Sequence, residues 1–290
     1  LSHPTVNRLV KEGHERGYVQ ISVRSPLQSL FSLEEALAAA GGLKEAIVTP
    51  TISDQEEVNL TTVGRATAEH LLSKLRDGDT ICVSGGRGVD AMIQALAPNR
   101  AYDVTVVPAT GGIQGEYFTD VNHLAAQLAH KLQGKAFQIH APVFAASHEE
   151  RDVLLSLQSV REVLARARDA AIAVTGIGSV LAEHSTYLSL RTMGPGAESE
   201  LSRLDAAGEL VAHLLDRRGR LCDYPLNERV IGLTLDELKA IPLAIGVCAG
   251  ARKAVPAASA LRGGFLDVLA TDESTGNAII DALKDETHGN

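Results

Sequence analysis

Six short apolar runs constrain this chain more than anything else in it: "AIVTP" ending at Pro50, "TICV" (80–83), "YDVTVV" (102–107), "AAIAVT" (170–175), "PLAIGV" (242–247) and "LDVLAT" (266–271). Each is too short for a buried helix, is rich in Val, Ile and Ala, and stops at a turn of small or polar residues. Between them lie segments of helical period, such as "TTVGRATAEHLLSKL", where Val63, Ala66, Leu71, Leu72 and Leu75 are the expected core positions. Continuous apolar strands alternating with amphipathic helices need both faces of the sheet covered. The pattern therefore predicts an α/β fold with a mostly parallel, doubly wound, Rossmann-like sheet. Ser32 with Glu35, Ser159 with Glu162 and Thr234 with Glu237 have the spacing of capping boxes and are expected to start helices. Helical signal in 181–208 is broken by Met193-Gly194-Pro195-Gly196, which marks an insertion or small subdomain.

Several strand ends carry loops that a ligand could use. They are Ser84-Gly85-Gly86-Arg87-Gly88, Thr110-Gly111-Gly112, Gly176-Ile177-Gly178-Ser179, Ala249-Gly250 and Thr271-Asp272-Glu273. In open α/β sheets ligands sit beyond the carboxyl ends of the strands. Glycine there lets backbone amides approach an anion, and the next helix adds its positive end. Ser84 could add a hydroxyl and Arg87 a charged fork. Tight turn geometry alone would also place glycine at these points. Lys253, after the Ala249-Gly250 turn, could meet an anion or a carbonyl, and Glu209 could accept bonds from sugar hydroxyls. On the residues alone, solvated surface positions are the favoured reading for both.

Other chemistries find little support. Neither a Walker A pattern, GxGxxG, GxSxG nor HExxH is present, and the ten histidines are scattered, so no metal or cofactor is implied. Cys82, Cys222 and Cys248 are isolated and odd in number, as expected of reduced core residues in a cytoplasmic protein. No apolar run reaches the roughly 18 residues of a membrane span, and no charged segment leads into a signal-like apolar one. With 45% hydrophobic and 22% charged residues, the balance is that of an ordinary globular chain. The net charge is −9, which disfavours a broad nucleic-acid-binding surface. In residues 1–24 the sign reverses: four cations (Arg8, Lys11, Arg16, Arg24) against two carboxylates (Glu12, Glu15) leave +2.

That basic start, "LSHPTVNRLVKEGHERGYVQISV", reads as a helix capped by Ser2, with Pro4 in its first turn and Val6, Leu9 and Val10 on one stripe. A strand-like "YVQISV" follows Gly17. Small polar residues at a helix start followed by basic ones suit a DNA recognition helix, and an ordinary amphipathic helix has the same pattern.

The stretch resembles the recognition helix and following strand of SorC/DeoR-type sugar-sensing transcriptional regulators. "CVSGGRGVDAMIQAL", "SVREVLARARDAAIAVTGIGSV", "PLNERVIGLTLDELKAIPLAIGVCAGARKAVPAASALRGGFLDVLATDE" and the "GGI" of 111–113 resemble the sugar-binding domain of the same family. The resemblance implies a fold related to glucosamine-6-phosphate deaminase and ribose-5-phosphate isomerase. It implies residues 1–24 as the remnant of a helix-turn-helix module cut short, with Ser2, Thr5, Asn7 and Arg8 toward operator DNA, and 25–290 as the effector domain. It further implies that Ser84, Gly85, Gly86, Arg87, Gly88, Gly111, Gly112, Gly178, Glu209 and Lys253 meet a sugar or sugar-phosphate effector, and that the protein works as a homodimer or homotetramer. The family often has Thr where Gly88 stands, Asp at Glu209, and Phe-Phe at Leu214-Leu215. Those departures leave a free sugar or polyol as an alternative effector. A sugar-phosphate isomerase or deaminase is the competing expectation, with Asp120, Glu209 and Asp272 as its candidate bases. A third is a sensor that captures a carbonyl sugar through a Schiff base on Lys253.

Overall fold

The computed structural model describes residues 26–113, 120–180 and 197–285, without the side chains of 26–28, 197, 198 and 285. The expected recognition helix, with Ser2, Thr5, Asn7 and Arg8, lies outside the described residues, as does most of the expected insertion.

Helix α1 (Pro26–Gly41) leads through a turn at Gly42, whose φ is 65°, into β1 (Glu45–Thr49). Then follow α2 (Glu56–Lys74), β2 (Thr80–Val83), α3 (Arg87–Ala95), β3 (Thr105–Pro108), α4 (Val121–Leu132) and a two-residue β4 (Lys135–Ala136). Helices α5 (His148–Ser156) and α6 (Gln158–Arg168) bring the chain back to β5 (Ile172–Gly176). A small excursion comprises β6 (Gly178–Ser179), α7 (Ala197–Arg203), β7 (Ala206–Leu210) and β8 (His213–Asp216). Helix α8 (Leu235–Ala240), β9 (Leu243–Val247), α9 (Ala254–Arg262), β10 (Val268–Asp272) and α10 (Glu273–Asp285) close the fold.

Seven strands form one sheet in the order β1-β10-β9-β5-β2-β3-β4, with every neighbouring pair parallel. The doubly wound prediction therefore stands. The pleat sends alternate residues to two separate cores. Ile81, Val83, Ile172, Val174, Val268 and Ala270 join α2, α3 and α4 on one face. Cys82, Ala173, Ala244 and Leu269 join α1, α6, α9 and α10 on the other. This two-sided burial is why the strands read as unbroken apolar runs. All three cysteines are buried and free, and burial pushes the Cys248 thiol up to about 12.

Strands β6, β7 and β8 form a separate antiparallel sheet, so the segment after β5 does build a small substructure. It rests on α9 at Gly208, where a Cβ would come within 2.9 Å of Pro256 Cα.

Two expected helix starts are corrected. Ser32 lies inside α1, which begins at Pro26, and Glu34 nearby accepts the Val48 amide at 2.8 Å. Ser159 lies inside α6, whose cap is Leu157, an extended residue that separates α6 from α5. At Thr234 the capping box is complete: the hydroxyl accepts the Glu237 amide and the Glu237 carboxylate accepts the Thr234 amide. The spacing is the same in all three cases; only at Thr234 does the helix begin at the hydroxyl residue, whereas α1 and α6 begin before Ser32 and Ser159.

Candidate functional site

Chain order fixes where a site can form. From β2 the sheet grows through β3 to β4, and from β5 it grows the opposite way through β9 to β10. Strands β2 and β5 are neighbours at this reversal, so their carboxyl-end loops diverge and leave a crevice. The two loops are tied at its floor. Ser84 Oγ and Thr175 Oγ1 are 2.9 Å apart, and Ser84 Oγ accepts the Gly176 amide at 3.2 Å. Gly86, at φ 131°, turns the chain into α3 and brings its own backbone next to Gly176. The first-turn amides of α3 have no partner within the helix, as at any helix start, and lie at the crevice.

A cavity of about 130 Å³ fills this position. Ser84 to Gly88 and Gly176 to Ser179 line it, with Val247 to Ala249, Arg252 and Lys253 from the end of β9 and Glu209, Val211 and Ala212 from the small sheet. Glu56 and Leu60 at the start of α2 complete one wall, and Thr110, Ile113, Val121, Val143 and Phe144 the other. Ten residues were expected at a ligand site. Eight of them line the cavity: Ser84, Gly85, Gly86, Arg87, Gly88, Gly178, Glu209 and Lys253.

Gly111 and Gly112 do not line it. Their amides donate to Ile231 O at 2.7 Å and Ala141 O at 2.8 Å. A Cβ on Gly111 would lie 2.2 Å from Pro142 O. Gly111 is there because two backbones meet, and its neighbours Thr110 and Ile113 face the cavity instead. Gly88 lines the cavity but is also a packing residue, since a Cβ there would lie 2.7 Å from Val247 O.

The charged groups are held in place. Lys253 Nζ donates to Ile177 O at 2.8 Å. Burial lowers its pKa, opposed by Cys248, Glu56 and Glu209. Burial raises the pKa of Glu209, opposed by the Ala212 amide that it accepts and by Lys253. Glu209 sits opposite Gly178 in the β6–β7 pair, and a Cβ on Gly178 would strike its carboxylate. Arg252 pairs with Glu56, and Arg87 stands exposed at the rim. Three cations against two carboxylates leave the cavity cationic, and with the α3 amides it favours an anion beside hydroxyl groups.

Glu56 and Arg252 were missed by the sequence reading. Arg252 adjoins Lys253 and could have been included with it; Glu56 carries no local signal that ties it to the later loops.

The three candidate bases separate clearly. Asp120 is the N-cap of α4, accepting the Asn122 amide at 3.0 Å. Asp272 is fully buried and structural: it accepts the Gly250 amide at 3.0 Å, Thr51 Oγ1 at 2.9 Å and Ser274 Oγ at 2.6 Å. Only Glu209 of the three lines the cavity. Among the described residues no group of His, Cys, Asp and Glu could hold a metal ion, and no helix is long and apolar enough to cross a membrane.

Residues 25–281 match the sugar-binding-domain family Sugar-bind. The chain is 30% identical over 278 residues to the transcriptional regulator LsrR of Enterobacter sp. strain 638, spanning 95% of this chain and 83% of that one. It is 29% identical over 290 aligned residues to the deoxyribonucleoside regulator of Bacillus subtilis strain 168, spanning 98% and 90%. Among solved structures, the full-length sorbitol operon regulator SorC of Klebsiella pneumoniae superposes with a TM-score of 0.82 at 25% identity, covering 97% of this chain and 90% of that one.

Proposed function

The chain belongs to the Sugar-bind family of SorC/DeoR-type transcriptional regulators, and from that premise we propose that it regulates carbohydrate genes in response to a sugar, polyol or sugar phosphate bound at the β2–β5 crevice. The observation that carries this reading is the cavity itself. It lies at the topological switch point and combines a glycine loop, a helix start, three cations and a half-buried carboxylate. Ser84, Gly85, Gly86, Arg87 and Gly88 take the anionic end or its place. Lys253 and Glu209 address oxygens on the sugar, and Gly178 gives Glu209 its room. Gly111 and Gly112 act one layer back, by shaping the wall that Thr110 and Ile113 present.

Residues 25–290 are, in this reading, the effector domain. Residues 1–24 belong to the helix-turn-helix module, with Ser2, Thr5, Asn7 and Arg8 toward operator DNA. The protein works in the cytoplasm as a homodimer or homotetramer. Ligand changes DNA affinity only to the extent that it binds the two arrangements of the assembly differently. An isomerase or deaminase is disfavoured, because the relatives are named as regulators and two of the three candidate bases are occupied in holding the fold.

A thermal-shift screen tests the reading, pairing phosphorylated sugars with the free sugars and polyols. A ligand that binds only the folded state raises the melting temperature in step with ln(1 + [L]/Kd). A shift confined to phosphorylated compounds should disappear in Arg87→Ala, whereas a shift with free sugars should survive Arg87→Ala and be lost in Glu209→Gln. No shift with any member of the panel would count against the proposal.

A further inference from the structure

Glu56 is the first residue of α2, and Leu60, one turn later, shares its face; both line the cavity. Glu56 Oε2 lies 2.5 Å from Arg252 Nη2, and the two side chains are only 19% and 29% exposed. The turn after β9 is shaped around this carboxylate. Gly250 has φ 96°, and a Cβ there would lie within 2.5 Å of Glu56 Oε2. Any residue but glycine would therefore clash with the carboxylate as well as strain the turn. The guanidinium is nonetheless incompletely used. Arg252 Nε is buried and has no hydrogen-bond partner. An arginine fork suits a ligand that offers two or three oxygens, and a buried donor left without an acceptor costs free energy.

We propose that Glu56 is a specificity-determining residue that holds, on Arg252, the place of an anionic group of the ligand. In the unliganded protein the pair cancels the arginine's charge. An uncharged sugar leaves the pair intact, whereas a phosphorylated one must displace the carboxylate and in doing so reaches the unused Nε. The cavity thus sets a threshold against anions at Arg252, where the carboxylate already occupies the guanidinium. This rests on the sugar-binding reading of the cavity given above.

The test removes the competitor. Glu56→Gln keeps the shape and an oxygen acceptor while deleting the charge. Glucose 6-phosphate, ribose 5-phosphate and inorganic phosphate serve as anionic probes, with glucose and ribose as neutral ones, in calorimetric titrations at low ionic strength. The variant is expected to bind the anionic probes tighter than the unmodified protein by about two- to fivefold, the scale of one partly screened charge pair. Binding of neutral probes should change less than that of the anionic ones. The gain should vanish in the Arg252→Gln background, which separates displacement at Arg252 from a general change in cavity charge. Equal or weaker binding of the anionic probes by Glu56→Gln, or a gain that persists without Arg252, overturns the proposal while leaving the sugar-binding reading intact. Failure of every probe, charged or neutral, to bind any of the proteins overturns that reading and this proposal together. Melting temperatures are measured alongside; should Glu56→Gln unfold, Glu56→Ser makes the same charge change with a side chain well suited to a helix start.

Discussion

Gly88 tests whether the phosphate-type loop is built on packing or on hydrogen bonding. It is the second residue of α3, and a Cβ there would lie 2.7 Å from Val247 O and 3.2 Å from both Val247 C and Val247 Cβ. Val247 cannot retreat freely, because β9 is paired on both sides, with Gly176 of β5 and Ala270 of β10 opposite Val247. Gly88→Ala therefore pushes the start of α3 away from the sheet. Overpacking of this kind costs about 1–3 kcal/mol, and alanine's better helix propensity returns at most about 1 kcal/mol. The net loss should be about 1–2 kcal/mol, or a melting temperature lower by about 2–3 °C for a chain of this size. The displaced loop should also weaken binding of whichever sugar the screen identifies by about three- to tenfold, the scale of one hydrogen bond. Thermal unfolding followed by circular dichroism, with calorimetric titration, reads both quantities. The competing account, which the family resemblance suggested, treats Gly88 as a lost hydroxyl donor. On that account Gly88→Thr should tighten binding of a phosphorylated sugar at unchanged stability. That result, or a Gly88→Ala protein as stable as the original, would refute the packing argument.

Three further outcomes are expected. Gly111→Ala, whose Cβ would meet Pro142 O at 2.2 Å, should lose about 2 kcal/mol or more in urea unfolding, whereas Gly112→Ala, with its nearest atom at 3.5 Å, should stay within about 0.5 kcal/mol; similar losses at both would contradict the assignment of Gly111 as a packing residue. Burial depresses the His213 imidazole to about 4, and its Nδ1 lies 2.9 Å from Val211 O. The unfolded chain takes up this proton near pH 6.5 and the folded chain only near pH 4, so stability is complete above about pH 6.5 and falls by on the order of 3 kcal/mol as pH drops to 4. His213→Gln should flatten that window in a pH series of urea melts. The pKa of Asp272 is lowered: burial pushes it up, but bonds from Ser274, Thr275, Gly250 and Thr51 outweigh burial. Its stabilisation is therefore present above about pH 4 and lost as pH falls through the folded value; Asp272→Asn should cost about 3 kcal/mol at neutral pH and reduce the acid sensitivity, and an unchanged acid limb would refute the role.

The strands were legible because burial on both faces leaves no polar face to interrupt them: Cys82 points to one core while Ile81 and Val83 point to the other. Glycine loops were legible as loops, and seven of the eight cavity-lining residues among the ten expected follow the ends of β2, β5 and β9; the eighth, Glu209, comes from the separate small sheet. What the pattern could not show is what stands opposite each glycine. Gly86 and Gly111 look alike in sequence, yet one opens onto the crevice and the other fills the gap between two backbones. The same blindness affects Ser32, Ser159 and Thr234. All three have a glutamate three residues on, and only at Thr234 does the helix start at the hydroxyl residue itself.

Carboxylates show the limit most clearly, because their role depends on who donates to them. Asp272 ends a strand-like run and Glu209 follows Ala207-Gly208, and both looked able to reach a ligand. Asp272 spends its oxygens on Thr51, Gly250, Ser274 and Thr275, drawn from three separate parts of the chain. Through the Gly250 amide it fixes the turn that carries Arg252 and Lys253. Glu56, unremarkable in sequence at the start of a helix, reaches that same turn from the other side. The cationic wall of the cavity is thus held between two carboxylates, one buried and committed to the backbone, the other partly exposed and set against a single guanidinium. Of these two, the second is the one placed to yield to a competing anion, and that asymmetry makes Glu56, rather than Asp272, the carboxylate whose removal should favour anionic ligands.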